Sequence, residues 1–425
     1  IEVHLEVDAT EAAGAASREG GAHWNAKIVP QLDAARLALP DAGVRRGLRE
    51  LGFTTAAVHP DRGILRGRTA IWSLDESSPR RLGGRPMMSA AFEHGGSWDR
   101  ASYPGAFVGS VALLRQTLRD AAWHAACTDR WRENPQGLER PIAAAALEAL
   151  RPVVDGGMPI YLQTDSELEL LEAAELAAEF GMPLVVGGSG NEFRRLAEVA
   201  AAGVPVVVPL DFPDAPKADS PWEASEVTLR ELLAWEHAPT NPRRLLDAGV
   251  DVALTTRGLE RRSELPKRIR ETFDAGLDED LVLAAFTTTP AKLLGVEAMV
   301  GTLEAGKQAD LVLVDGGLFD KDREIREVWI GGARHLIESP PIFGLTGDAE
   351  LVLPDGSTRR MSIDPAAGRV EVIPAAEPPA SSDATDEGED TDDALIAVDA
   401  ADSGEASGDD RASASPKPVR ATAVT

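Results

Sequence analysis

The sequence is poor in cysteine and has no long apolar run. Cys127 is the only cysteine among 425 residues, which excludes an internal disulfide and a cysteine-based zinc site. No stretch approaches the roughly 20 apolar residues that a membrane-spanning helix needs, so we expect no membrane partner. One cysteine does not identify a redox compartment, and the localisation stays open.

Basic residues are also scarce. The chain has 43 Lys and Arg against 70 Asp and Glu, for a net charge of −27. Binding to nucleic acid requires a positive surface, so we expect no nucleic-acid partner. About half of the charge is local, because Glu377 to Asp410 contains 13 acidic residues and no Lys or Arg. The negative net charge does not by itself identify a substrate.

Short apolar runs alternate with amphipathic helical stretches from about residue 45 to 300, which is typical of a parallel sheet built from βα units. The run "GFTTAAVHP" predicts a strand from Thr54 to Val58. The segment "ELELLEAAELAAEFGMPLVVGG" predicts a helix that ends at Gly181 and a buried strand from Leu184 to Val186. Two further units repeat this order, with Gly203 and Gly249 between helix and strand.

Consecutive helix, glycine and strand units fit either a (β/α)8 barrel or a doubly wound sheet, and composition does not separate the two. A dinucleotide fold would carry a G-x-G-x-x-G turn after its first strand. The nearest candidate, "VGGSGNEF", lacks that spacing, so nucleotide binding is not expected.

The pattern of the sequence changes after residue 300. Residues 301–373 contain short β-like segments separated by Gly and Asp turns, and we expect a small β domain there. Residues 374–425 are rich in Ala, Asp, Glu, Ser and Pro, and they cannot bury enough apolar surface to offset the entropy of ordering. We expect this last segment to be a disordered acidic tail or linker.

One long segment closely resembles a known family signature. Thr287–Gly332 contains "TTTPAKLLG", then "GTLEAGKQADLVLV", then a strand ending in "WIGG". This order resembles the C-terminal signature of the amidohydrolase superfamily, in which the chain leaves the last barrel helix and enters a β-sandwich. A β-hairpin after a helix would share some of these features, but not over this length.

The resemblance extends to imidazolonepropionase-like metal-dependent hydrolases, through "GFTTAAVHPDRGILRG" and "MPIYLQTDSELELLEAAELAAEFGMPLVVGG". It implies a (β/α)8 TIM-like barrel over residues 1–300 with a partial C-terminal β-sandwich over residues 301–373. The family's first sandwich strands precede its barrel and are missing here, and the sequence opens on "IEVHLEV" without an initiator Met. We therefore expect an N-terminally truncated member.

In the family, as the resemblance implies, a water bound to divalent metal hydrolyses C–N bonds other than peptide bonds. Metal coordination is needed because it lowers the pKa of water from 15.7 to about 7. The first-strand motif D-x-H-x-H appears here as Glu2 to Glu6, which keeps His4 and replaces the second histidine with Glu6. Alternate residues of a strand face the same side, so both could point into the barrel and hold a metal, or form a hydrogen-bonded core pair.

The remaining metal positions have changed. The strand-five histidine is replaced by Gln163, and the strand-six position falls at Gly187 or Gly188. Arg257 stands where the strand-eight aspartate is expected. A guanidinium neither binds a cation nor accepts a proton, so Arg257 opposes a metal at this place. We expect its guanidinium to fill the metal's space and to pair with Glu6.

Two functional hypotheses follow. In the first, the metal site is degraded and the chain is a weakly active or non-catalytic binding or assembly module, with a small-molecule ligand and a second amidohydrolase module or another copy of itself as partners. In the second, it is an active hydrolase that uses one metal or none at the barrel mouth, where Gln163, Arg257 and His59 are the catalytic candidates. We expect no cofactor beyond one zinc ion at low occupancy on His4 and Glu6.

Overall fold

A computed structural model gives the structure of the chain, and it describes residues 1–37, 39–94, 103–321, 323–338, 347–352, 358–364 and 369–373. The chain divides into two compact units, Ile1–Ser339 and Pro340–Thr425. The tail predicted for residues 374–425 lies outside the described residues. None of the described helices combines the length and apolarity that crossing a bilayer requires.

Strands are short in the first unit and alternate with helices. They are β1 Glu2–Val7, β2 Thr55–Pro60, β3 Leu65–Arg68, β4 Ala70–Ser73, β5 Arg81–Leu82, β6 Met88–Ala91, β7 Ile160–Gln163, β8 Leu184–Gly187, β9 Val206–Pro209, β10 Val252–Thr255, β11 Leu311–Asp315, β12 Glu324–Ile330 and β13 Ala333–Leu336. The second unit contributes β14 Gly347–Val352, β15 Thr358–Asp364 and β16 Arg369–Ile373.

The helices that the structure describes lie in the first unit. They are α1 Thr10–Ala16, α2 Ala42–Glu50, α3 Phe107–Glu133, α4 Ala145–Val154, α5 Glu167–Phe180, α6 Leu196–Ala202, α7 Pro221–Glu226, α8 Leu229–His237, α9 Asn241–Asp247, α10 Leu265–Asp274, α11 Glu279–Phe286 and α12 Thr288–Leu294. Single 3-10 turns lie at Ala34–Arg36, Glu192–Arg195, Ala238–Thr240 and Arg262–Glu264.

Local signals placed several of these boundaries. Helix α5 begins where the Ser166 hydroxyl accepts a hydrogen bond from the Glu169 amide, and it ends at Gly181, whose φ of 64° is left-handed. Gly203 ends α6 in the same conformation. Strands β8, β9 and β10 follow their helices as expected, and the predicted β2 is confirmed at Thr55–Pro60.

The first unit contains two mixed sheets that carry the parallel strands. One has the order β1-β2-β4-β5, with β1 and β2 parallel and the others antiparallel. The other has the order β10-β9-β8-β7-β6-β3, in which β6 to β10 are parallel and β3 is an antiparallel edge. An α/β fold of βα units is therefore confirmed, but the strands described here do not form one closed hydrogen-bonded ring.

Both sheets nevertheless enclose a shared apolar interior. Buried side chains from seven strands meet there: Val3, Ala57, Ile71, Tyr161, Val185, Val207 and Ala253. A larger apolar layer lies between the strands and the helices, with Leu114 of α3 and Leu170 of α5 completely buried. Because alternate strand residues face opposite sides, β8 and β9 are apolar on both faces, as expected for strands of a sheet covered by helices.

Antiparallel β segments follow the last helix. Strands β11, β12 and β13 form a three-stranded sheet in the first unit. In the second unit, β14, β15 and β16 form another. These strands coincide with the β-like segments read from the sequence after residue 300.

Candidate functional site

Polar side chains converge at the carboxyl ends of the parallel strands, where active sites of βα-barrel enzymes lie. We call them the strand-end cluster, and its members are His4, Glu6, His59, Arg66, Tyr161, Gln163 and Arg257. All five candidate residues from the sequence belong to this cluster, although they come from β1, β2, β7 and the segment after β10.

Below the cluster, Glu2 joins β1 to β10. Its fully buried carboxylate accepts hydrogen bonds from the Thr255 hydroxyl at 2.5 Å and from the Thr256 amide and hydroxyl at 3.0 and 2.7 Å. The His4 amide donates a fourth, at 3.0 Å. The bonds from Thr255 and Thr256 connect the two sheets where no backbone pairing of β1 with β10 does, so Glu2 fixes β1 beside β10.

His4 and Glu6 do face the same side of β1. The His4 Nε2 lies 3.3 Å from the Glu6 Oε1, yet neither ring nitrogen of His4 makes a hydrogen bond to another described residue. The His4 side chain is 1% exposed and the Glu6 side chain 41% exposed. The two residues are thus in contact, with His4 enclosed and Glu6 open to the mouth.

His59 and Tyr161 enclose the His4 ring. The imidazoles of His4 and His59 are stacked with centroids 4.6 Å apart, and the Tyr161 ring lies 4.4 Å from His59. Both nitrogens of His59 have partners, the Ser89 hydroxyl at 3.3 Å and the Val3 carbonyl at 3.0 Å. His59 is therefore held as a packing residue, and it has no free nitrogen for a ligand.

The guanidinium paired with Glu6 belongs to Arg66. Its Nη1 donates to Glu6 Oε1 at 3.3 Å and to Gln163 Oε1 at 2.9 Å, and its Nε donates to the Gly63 carbonyl at 3.0 Å. The expected pair between Arg257 and Glu6 is wrong. Arg66 reaches Glu6 from the antiparallel β3, which the family motifs did not point to.

Arg257 lies across the cluster, after β10. Its backbone amide donates to the Thr255 hydroxyl at 3.1 Å, and its Nη2 donates to the Gly188 carbonyl. Its Nε is buried without a hydrogen-bond partner among the described residues. No Asp or Glu among the described residues forms an ion pair with Arg257.

Glu192 holds the loop that presents the Gly188 carbonyl. Its buried carboxylate accepts from the Ser189 amide at 2.6 Å, the Gly190 amide at 3.2 Å and the Asn241 side chain at 2.6 Å. A Cβ at Gly188 would lie 2.7 Å from Glu192 Oε1, so only glycine fits there. The glycine at the strand-six position thus has a packing reason.

The cluster is arranged around neutral rings. Burial, with the charges of Arg257 and Arg66, holds the pKa of His4 well below its usual range. Burial, with the neighbouring His4, likewise lowers the pKa of His59. Burial raises the pKa of Tyr161. Near neutral pH both imidazoles are therefore uncharged and Tyr161 is protonated.

Acid is expected to destabilise the fold through these histidines. An unfolded histidine titrates near pH 6.5, above its folded pKa, so below pH 6.5 the unfolded chain binds more protons. The contribution of these two histidines to the free energy of unfolding is fully present above pH 6.5. Below that pH, each histidine lowers the free energy of unfolding by up to about 1.4 kcal/mol per pH unit. Urea unfolding between pH 5 and 8, with a chelator present, measures this slope. His59→Gln should reduce it, and an unchanged slope would mean that His59 titrates freely.

The donor set does not fit a catalytic divalent metal. A catalytic zinc normally has three protein ligands, and among the described residues no group of three or more His, Cys, Asp or Glu side chains could hold a metal. Only His4 and Glu6 are available, and Glu6 is already paired with Arg66.

Sequence reasoning missed Arg66, Tyr161 and Glu192. Tyr161 could have been found, because it lies two residues before Gln163 on the same strand and so faces the same side. Arg66 had no signal, since "GILRGRT" reads as an ordinary polar turn and strand. Glu192 lies in "VGGSGNEF", whose glycines suggest a phosphate-binding turn and not a buried carboxylate.

Comparison with known protein families finds a match over most of the chain. The sequence profile described as "Amidohydrolase family" matches residues 43–352, which is well over half of the chain. The chain belongs to the amidohydrolase family. The resemblance of Thr287–Gly332 to the family signature is thereby confirmed.

Structural and curated relatives add detail within that family. The crystal structure of an amidohydrolase from Thermotoga maritima MSB8 superposes with a TM-score of 0.59 at 20% identity, covering 78% of this chain and 85% of that one. At this identity the likeness concerns the fold, which is α/β and TIM-barrel-like.

A 5-methylthioadenosine/S-adenosylhomocysteine deaminase of Moorella thermoacetica is 40% identical over 85 residues, 17% of this chain and 20% of the deaminase. The chain therefore matches about a fifth of the length of that curated relative.

Proposed function

We propose that this member of the amidohydrolase family holds no catalytic metal and acts as a binding or assembly module. The observation that carries the proposal is the ion pair of Arg66 with Glu6, in a cluster where His4 is the only other potential ligand. A metal at His4 would have to displace Arg66 from Glu6 and would still lack a third ligand.

Electrostatics weigh in the same direction. Arg257 and Arg66 both act on His4, so a divalent ion there would face two fixed positive charges. Two unit charges 4 Å apart repel by about 4 kcal/mol at an effective dielectric of 20, and a divalent ion roughly doubles this. The mouth is thus unfavourable for the cation that the family's chemistry needs.

The finer architecture belongs to the same proposal. We take the two mixed sheets as an opened version of the family's (β/α)8 barrel, and residues 301–373 as the remnant of its β-sandwich. The module would bind a small molecule at the strand-end cluster. It would assemble with a second amidohydrolase module or with another copy of itself.

One observation favours a second candidate, an active hydrolase with a single metal. Both ring nitrogens of His4 are buried without a hydrogen-bond partner among the described residues, and a metal shared with Glu6 would satisfy one of them. His59 would not complete the site, since both of its nitrogens are engaged.

Equilibrium dialysis of the full chain against zinc, with metal counted by mass spectrometry, tests the proposal. We expect fewer than about 0.1 zinc ions per chain, because two ligands at most are available. Arg257→Asp should raise the zinc content, since it removes a positive charge and supplies a third ligand, a carboxylate oxygen. Arg257→Gln is the matched control, because it removes the charge without adding a carboxylate.

Near one zinc per chain in the unaltered protein, together with hydrolysis that a chelator abolishes, would establish the single-metal hydrolase instead. Equal uptake by Arg257→Gln and Arg257→Asp would mean that charge alone, and not the missing ligand, excludes the metal.

A further inference from the structure

Arg257 differs from the other arginine of the strand-end cluster, because it forms no ion pair with any Asp or Glu among the described residues. Arg66 is 8% exposed and is held by the Glu6 carboxylate and the Gln163 amide. Arg257 is half-buried, and among the described residues its guanidinium donates to the Gly188 carbonyl, which carries no charge. Burying part of a guanidinium without a carboxylate partner lowers the stability of the fold, so an incoming anion would stabilise Arg257.

Other polar atoms of the cluster also have no hydrogen-bond partner among the described residues. The Tyr161 hydroxyl is buried and has no partner among the described residues, and the same holds for the ring nitrogens of His4. The Gln163 oxygen accepts from Arg66, which leaves the Gln163 amide nitrogen as a donor. A neutral imidazole has one donor and one acceptor nitrogen, so an acceptor-rich group would satisfy the donors of Tyr161 and Gln163 and one nitrogen of His4.

We infer that the strand-end cluster binds a small molecule through a carboxylate, which Arg257 holds by a charge-assisted hydrogen bond. The inference rests on the proposed function, because a metal at His4 would occupy the same space. Arg257, which stands at the family's aspartate position, would then bind an anion at the place where the family binds a metal cation.

The charge of the cluster favours a singly charged ligand over a dianion. Arg66 and Arg257 are matched in number by Glu6 and by Glu2, whose buried carboxylate accepts hydrogen bonds from neutral groups only. A carboxylate therefore adds less electrostatic repulsion at this place than a phosphate dianion would.

Asp211 is a carboxylate of the chain itself that could compete with the ligand for Arg257. Arg257 acts electrostatically on Asp211, whose pKa burial nevertheless raises, and Asp211 packs against Gly258 without forming an ion pair with Arg257 among the described residues. If Asp211 swung towards Arg257, it would fill the place of the ligand. Removing its charge must then strengthen binding of an external carboxylate or leave it unchanged.

Calorimetric titration of the full chain tests the inference with acetate, succinate and benzoate, each paired with its uncharged amide at constant ionic strength. We expect saturable binding of at least one carboxylate and none of its amide. Arg257→Gln should weaken that binding about tenfold or more, as for a lost charge-assisted hydrogen bond. Arg132→Gln, which removes an exposed arginine of α3, should leave it unchanged.

Inorganic phosphate and Asp211→Asn complete the experiment. Binding of phosphate but of no carboxylate would overturn the inference, and so would equal carboxylate affinity in Arg257→Gln and the unaltered chain. Loss of carboxylate binding in Asp211→Asn would also contradict it. A chain that is free of zinc but binds no carboxylate would refute this inference alone, whereas one zinc per chain with hydrolysis would refute the proposed function.

Discussion

Replacing Glu2 with Gln is expected to lower the free energy of unfolding by about 3 to 4 kcal/mol, the largest effect of any single polar substitution proposed for this chain. The buried Glu2 carboxylate accepts from the Thr255 hydroxyl, from the amide and hydroxyl of Thr256, and from the His4 amide. A glutamine presents an NH2 group to some of these donors, so buried donors would face one another without an acceptor.

Urea unfolding at pH 7.5 measures the Glu2→Gln effect, and Glu19→Gln is the control because Glu19 is exposed. The control should change stability by less than about 0.5 kcal/mol, as surface substitutions usually do. A similarly small effect of Glu2→Gln would show that β1 is held beside β10 without this carboxylate.

Glu192→Gln is expected to cost about 2 to 3 kcal/mol for a related reason. The completely buried Glu192 accepts from two backbone amides of the Ser189–Gly190 turn and from the Asn241 side chain. Glutamine keeps one oxygen acceptor and loses the other. Because the same turn presents the Gly188 carbonyl to Arg257, the substitution should also weaken carboxylate binding at the strand-end cluster.

Glu198→Gln is the matched control for Glu192→Gln, since Glu198 lies on the adjoining helix α6 with its side chain 48% exposed and paired only with Arg195. It should leave stability within about 0.5 kcal/mol. If Glu192→Gln lowered stability but left carboxylate binding intact, the turn would not position Arg257.

Much of the fold could be predicted from local sequence. Gly181 and Gly203 end their helices in the left-handed conformation that glycine adopts without strain, and the buried strand that follows each helix is a continuous apolar run. These signals act over a few residues, so the order of the βα units could be read directly. Membership of the family came from an equally local feature, the segment Thr287–Gly332.

The way in which the two mixed sheets meet could not be predicted, because it depends on contacts between distant parts of the chain. Glu2 reaches Thr255 across 253 residues, and nothing in "IEVH" indicates that partner. The family motif assigned Arg257 to Glu6 because both replace metal ligands. In the structure the partner is Arg66, whose long side chain crosses from β3 to β1 and bonds Glu6 and Gln163 together.

A crystal structure of the full chain soaked in zinc, with an anomalous difference map at the zinc absorption edge, tests the central claim most directly. We expect no anomalous peak between His4 and Glu6, with Glu6 on Arg66 and the Arg257 guanidinium at the Gly188 carbonyl. A zinc peak bonded to His4 and Glu6, with Arg66 and Arg257 turned away from it, would contradict the claim that this member of the amidohydrolase family has exchanged its metal for arginine.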